Sequence, residues 1–294
     1  MKYFPVFLLL LLGLTACGPS SEGHPEAETT GAEEQRIVSL NGTLTELLYD
    51  LGYGDQLVGV DVTSSYPAAA NEVPKLGHVS QLNVEGMLAL RPTVVFVADE
   101  AKDKPALKTL AEAGVKVVPV KMNATLDNAV VAAKTLADHL PIETDKIDAY
   151  AASIGSDKQV LETTLEGTEI TPRVLFIYAR GAKQLMVAGT DTEAAAMIVL
   201  AGGENAIQSF SDFKPLTPEA LVEAAPDAIL MFSSGLASLD GKDGLANIPG
   251  ISQTPAFRND HIIAMDGHYL LGFGPRAAKA ANELAQQIHV SVTK

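Results

Sequence analysis

The single cysteine of this 294-residue chain, Cys17, is its most specific chemical signal. It closes the run Leu14-Thr15-Ala16-Cys17, which follows the apolar stretch Phe7-Leu8-Leu9-Leu10-Leu11-Leu12, with Lys2 the one earlier positive charge. An apolar run shorter than about 18 residues cannot form a permanent membrane span and reads as the core of a signal peptide. Small residues ending in a cysteine match the lipobox, at which the leader, residues 1–16, is removed and the new N-terminal cysteine is acylated. Roughly two or three acyl chains anchor a protein stably where one does not. A lone thiol forms no internal disulfide, so no covalent crosslink is expected.

The other side chains able to do chemistry stand singly in predicted loops. They are Tyr66 in Thr63-Ser64-Ser65-Tyr66-Pro67, His78 in Leu76-Gly77-His78-Val79, and His268 in Asp266-Gly267-His268-Tyr269. A phenolate or an imidazole can hold a transition metal. By residue type alone each reads more readily as an ordinary loop side chain. His24 sits in a Glu-rich stretch, and His139 and His289 in helical ones. The sequence carries no Gly-x-Ser-x-Gly elbow, no Gly-rich loop ending in Lys-Ser or Lys-Thr, and no His-x-x-x-His pair. Gly272-x-Gly274 runs into Pro275 and lacks the third glycine of a dinucleotide loop. This pattern favours a binding protein over an enzyme. With 36 acidic against 21 basic side chains and a formal charge of −15, the chain offers no basic face to a phosphate backbone.

Those loops need a scaffold, and the hydrophobic pattern supplies one. Residues 17–35 hold Cys17 and then a stretch with five Glu, no Lys or Arg, and many Ser, Thr, Gly and Pro. It cannot bury enough apolar surface to offset its chain entropy and reads as a disordered tether. From Arg36 onward, short β-rich runs alternate with helical ones. Ile37 to Leu40, Leu57 to Val60, Val94 to Val97 and Val115 to Val120 read as strands. Leu44 to Leu51, Val84 to Leu90 and Ala106 to Ala113 read as helices. The pattern restarts with strands at Val174 to Ile177 and Ala228 to Phe232, and helices at Thr192 to Leu200 and Glu219 to Ala224. The order implies an α/β fold of two Rossmann-like lobes with parallel-type sheets.

Two fragments correspond across the halves. Leu51-Gly52-Tyr53-Gly54-Asp55 parallels Leu200-Ala201-Gly202-Gly203-Glu204, and Glu85 to Pro92 parallels Glu219 to Pro226 with the same Glu-to-Pro spacing. Between the halves, Thr125 to His139 and Glu143 to Leu165 read as helices. The second, about 34 Å long at ~1.5 Å per residue, is a backbone helix stiff enough to restrain large closure motions. The expected boundaries are residues 36–142 for the first lobe, 143–166 for the linking helix and 167–294 for the second lobe.

Several segments carry a resemblance when taken in order. They are Arg36-Ile37-Val38-Ser39, Thr45-Glu46-Leu47-Leu48, Val58-Gly59-Val60-Asp61 leading to Thr63-Ser64-Ser65-Tyr66-Pro67, Gln81-Leu82-Asn83-Val84-Glu85-Gly86, Leu90-Arg91-Pro92, Val187-Ala188-Gly189, and Leu271-Gly272-Phe273-Gly274-Pro275-Arg276. From about Arg36 to Ile288 the chain resembles the helix-backbone class of periplasmic binding proteins that serve ABC importers, and within it the haem-binding branch.

The resemblance implies that Tyr66 supplies an axial oxygen to ferric haem iron, a hard anionic donor suited to that metal. His78 or His268 is a candidate second ligand. Arg180, Lys183 and Arg276 are candidates for the haem propionates, since a guanidinium fork matches a carboxylate. Arg276 reads equally as a structural pairing within the second lobe. Met186, Leu271 and Phe273 could touch the porphyrin or belong to the core. The resemblance also assigns Glu85 and Glu219 to docking on permease arginines, although a helix-start Glu also suits the macrodipole.

The implied partners are haem, an ABC permease with its ATPase, and the membrane through the lipid anchor, with the chain itself a monomer. Alternatives are the same fold binding cobalamin or a ferric siderophore, or a haem-scavenging surface lipoprotein without an importer. Cobalamin binders of this class tend to use cleft aromatics including Trp, and this chain has none.

Overall fold

The first strand, β1 (Ile37–Ser39), places alternate residues on opposite faces of its sheet: Ile37 joins one hydrophobic cluster and Val38 another. In this computed structural model the described residues are 35–289, so the leader, Cys17 and nearly all of the tether lie outside them. Three further strands, β2 (Leu57–Val60), β3 (Val94–Ala98) and β4 (Lys116–Val120), complete a four-stranded, wholly parallel sheet in the order β2-β1-β3-β4.

Its helices are α1 (Gly42–Asp50), α2 (Val84–Ala89), α3 (Pro105–Glu112) and α4 (Asn128–Ala137). Leu44, Leu47 and Leu48 of α1 pack with Phe96 on one face; Leu107 and Leu110 of α3 pack with Val95 on the other. Both faces are covered, which explains why β3 is an unbroken apolar run. Helix α5 (Thr144–Leu165) follows, 22 residues and so about 33 Å at ~1.5 Å per residue.

The second lobe contains β5 (Arg173–Ala179), β6 (Leu185–Ala188), β7 (Glu204–Asn205), β8 (Phe213–Pro215), β9 (Ala228–Phe232) and β10 (Ile262–Met265). Its helices are α6 (Glu193–Leu200), α7 (Pro218–Ala224), α8 (Ser233–Ala237), α9 (Gly241–Ala246), α10 (Pro255–Arg258), α11 (Gly267–Leu271) and α12 (Ala277–Ile288). Strands β7, β5, β9 and β10 pair in parallel and repeat the arrangement β2, β1, β3, β4 of the first lobe. The turns that end the two helices are equivalent one residue out of the register that the sequence correspondence gives, with Gly52 facing Gly202 rather than Ala201. Gly52 ends α1 at φ +84° and Gly202 ends α6 at φ +79°, left-handed positions that a side chain would strain.

The second sheet departs from the parallel expectation at one edge. Gly181, at φ +73°, turns the chain so that β6 runs antiparallel to β5, and β8 then pairs antiparallel with β6. Leu185 to Ala188 and Phe213 to Pro215 are too short to stand out in a strand-helix alternation, which is why the sequence reading lacks them. Helix α4 also begins at Asn128 rather than Thr125, and α12 ends at Ile288, so that His289, expected in a helix, caps it.

The lobes are joined along α5 and α12, where Lys279 lies 3.4 Å from Asp157 and Thr164 Oγ1 donates to Asn282 Oδ1 at 2.5 Å. Among the described residues no helix is long and apolar enough to cross a membrane.

Candidate functional site

Tyr66 sits on the loop that leaves the carboxyl end of β2, and a buried carboxylate builds that loop. Asp61, 2% exposed, accepts from Thr63 Oγ1 at 2.7 Å and from Ser64 Oγ at 2.8 Å. Thr63 Oγ1 in turn accepts from the Gly42 amide at 3.0 Å, tying the loop to the start of α1. Thr45 Oγ1 lies 2.7 Å from Ser64 Oγ, and Lys75 Nζ donates to the Ser64 and Ala70 carbonyls. The backbone presenting Tyr66 is therefore fixed on both sides, while the ring stays 42% exposed and the Tyr66–Pro67 peptide is cis.

The first lobe meets the second at the segment Gly272 to Arg276. Thr43 Oγ1 donates to the Gly272 carbonyl at 2.6 Å, and Asn128 Nδ2 donates to the Phe273 carbonyl at 3.0 Å. A Cβ at Gly272 would strike the carbonyl oxygen and ring of His268 one turn back on α11 and lie 3.0 Å from Thr43 Oγ1, so glycine is required here. Phe273 is held at φ +48°, a conformation rare for a bulky residue.

Arg276 completes the contact with a bidentate pair to Glu46 on α1: Nε to Oε1 at 2.5 Å and Nη2 to Oε2 at 2.9 Å. Glu46 is only 2% exposed. The Arg276 Cζ also lies 3.7 Å from the centroid of the Tyr66 ring and 5.1 Å from that of Tyr269. The pairing of Arg276 therefore runs between the lobes rather than within the second, and two of its donors are taken.

The loops after β1, β2, β3 and β4 face those after β9 and β10 across a cavity of about 600 Å³. Ligands of open α/β sheets bind at such carboxyl ends. Ser65 lines it, and the adjacent Tyr66 is not among the lining residues. Apolar contacts come from Val62, Met122, Leu271, Phe273 and Phe232, the last stacked edge-on against Phe176 at 5.1 Å. The cavity's charged lining residues are Glu100, Glu193 and Asp266, with no Lys or Arg.

His268 lines the same cavity from α11. Its Nε2 is 3.7 Å from Glu46 Oε2, and neither ring nitrogen has a hydrogen-bond partner. Burial lowers its pKa, and the Glu46 carboxylate opposes that shift.

The remaining candidates lie apart from this group. His78 is exposed, its Nδ1 engaged by the Ser80 hydroxyl at 2.8 Å and amide at 3.2 Å. Arg180 and Lys183 are exposed in the β5–β6 hairpin, Arg180 over the Tyr178 ring at 5.4 Å, and neither lines the cavity. Met186 pairs in β6 and is likewise absent from the cavity wall.

Glu85 and Glu219 are exposed in the first turns of α2 and α7. Each helix precedes a parallel strand, β3 or β9. Glu46, Asp61, Thr43 and Asn128 were not singled out as functional by sequence. Their signal is burial of polar groups, which a sequence does not display.

The family model for periplasmic binding proteins matches residues 37–269. The uncharacterized ABC transporter substrate-binding lipoprotein YvrC of Bacillus subtilis is 26% identical over 270 residues, 90% of this chain and 83% of YvrC. The vitamin B12-binding protein of Pectobacterium carotovorum is 25% identical over 286 residues, 96% of this chain and 95% of that protein. Among solved structures, the periplasmic heme-binding protein RhuT from Roseiflexus sp. RS-1, in apo form, aligns with TM-score 0.83 and 37% identity over 87% of this chain and 98% of RhuT.

Replacing Glu46 with Ala leaves the Arg276 guanidinium unpaired. Loss of a fully buried pair costs ~3–5 kcal/mol, and the partial exposure of Arg276 reduces this to about 1–3 kcal/mol, readable as a lower urea midpoint. The lowered pKa of His268 sets a second expectation. Its stabilising contribution is fully present above the unfolded value of about 6.5 and is lost as pH falls below it towards the folded pKa. Between pH ~7.5 and ~5 the melting temperature of His268→Asn is expected to fall less than that of the parent.

Proposed function

From the premise that the chain belongs to the periplasmic binding protein family, the solute-binding components of ABC transporters, we propose that it captures ferric haem in its interlobe cleft and delivers it to a permease. The observation that carries this reading is the placement of Tyr66, on a loop braced by Asp61, beside a cavity floored by both lobes. A phenolate suits ferric iron, and the exposed ring can reach a flat ligand entering the cleft. The 37% identity to a heme-binding protein, over 98% of its length, supports the same ligand.

Of the two candidate second ligands, His268 lines the cavity with both ring nitrogens buried and unpartnered, while His78 is exposed and turned to Ser80. A cavity lined by three carboxylates and no Lys or Arg repels propionates, so these groups are directed to solvent, where Arg180 and Lys183 are exposed.

The leader, Cys17 and the acidic segment that follows make the protein exported and lipid-anchored, and YvrC is itself named a lipoprotein. Residues 36–142 and 167–294 act as two lobes about the linking helix, residues 143–166, in a monomer that docks on its permease through Glu85 and Glu219. ATP is hydrolysed by the partner ATPase.

The acidic lining also favours a second reading, cobalamin, a ligand without propionates and the one named for the Pectobacterium carotovorum relative. Titration with haemin separates the two. Haem binding through Tyr66 gives a tyrosinate charge-transfer band that vanishes in Tyr66→Ala, whereas no spectral change with haemin, together with binding of cyanocobalamin, establishes the second reading. For docking, the double variant Glu85→Lys and Glu219→Lys is expected to bind haemin as the parent does and to abolish uptake in cells. Loss of haemin binding in that variant refutes the docking assignment.

A further inference from the structure

Tyr66 sits on a hook of chain whose two ends are closed by one side chain. Lys75 Nζ donates to the Ser64 carbonyl at 2.5 Å and to the Ala70 carbonyl at 2.9 Å, and residues 65–69, Tyr66 among them, lie between those two bonds. Ser64 and Ala70 are fully buried, and among the described residues no backbone amide donates to either carbonyl. A buried carbonyl left without a donor is costly, and an ammonium with its three N–H groups can serve two at once. We infer that Lys75 is a positioning residue for Tyr66, a proposal that rests on Tyr66 being the iron ligand.

Two features suit Lys75 to this role. Its backbone is pinned to the strand from which the hook departs: the Val60 amide donates to the Pro74 carbonyl at 3.0 Å, and the Leu76 amide to the Val60 carbonyl at 2.8 Å. The ammonium therefore starts from a fixed point. Its charge also complements that of Asp61, which accepts from the Ser64 hydroxyl at 2.8 Å. Ser64 is thus held by a carboxylate at its side chain and by a cation at its carbonyl. Burial lowers the Lys75 pKa and the Asp61 carboxylate opposes that shift, as expected of a partly desolvated ammonium beside an acid. The Tyr66 ring is 42% exposed, so its aim depends on the backbone that carries it. Groups that orient a metal ligand from behind set the strength of its bond to the metal.

The test loads the full chain with haemin and follows transfer to excess apomyoglobin, together with the position of the charge-transfer band. Lys75→Met, which keeps the stem and removes the donors, is expected to speed haemin loss about three- to tenfold and to shift the band. Lys75→Arg, which keeps a cation with several donors, is expected to fall between it and the parent. In a Tyr66→Phe background, Lys75→Met is expected to add nothing further. Equal acceleration in both backgrounds overturns the proposal, as does an unchanged band and rate in Lys75→Met. Should the Met variant not fold, Lys75→Gln, which keeps an amide donor, is read in the same way. If Tyr66→Phe itself leaves band and rate unchanged, the iron-ligand reading fails and the proposal with it, an outcome distinct from failure at Lys75 alone.

Discussion

The buried ion pair between Glu46 and Arg276 is the constraint on which the cleft depends. A carboxylate that is 2% exposed is tolerable only if paired and hydrogen-bonded, and its partner comes from the other lobe. The segment carrying Arg276 must therefore lie against α1, and the bonds of Thr43 to Gly272 and Asn128 to Phe273 follow the same line. With α5 and α12 packed beside it, this contact closes the cleft at its base and leaves the strand ends facing each other above.

The character of the cavity follows from which loops the sheets deliver to it. Strand ends of the first lobe bring hydroxyls, amides and Met122; those of the second bring Phe232, Asp266 and His268. Apolar side chains and carboxylates thus share the wall of one cavity. His268 is the one imidazole on that wall, desolvated and without a hydrogen-bond partner in its neutral form.

Much of the scaffold was legible in the sequence because it is periodic. Val94 to Val97 is a buried run, Leu44, Leu47 and Leu48 share a helix face, and Gly52 and Gly202 mark equivalent turns. Tyr66 lies on the loop expected for it, whereas His268, expected in a loop, lies in α11. The interactions that place them were not legible. Glu46 was visible as part of a motif, but its burial and its partner 230 residues away depend on how two lobes meet. Asp61 likewise carries no periodic signal, although it builds the Tyr66 loop. The antiparallel edge of the second sheet escaped because β6 and β8 have only four and three residues.

The central claim is that a phenolate of the first lobe holds ferric iron in this cleft. Resonance Raman spectroscopy of the haemin-loaded chain, excited in the charge-transfer band, tests it directly. The account predicts enhanced phenolate modes that shift when tyrosine is isotopically labelled and disappear in Tyr66→Phe. A ferric haem spectrum without phenolate modes, unaltered by that substitution, would contradict it.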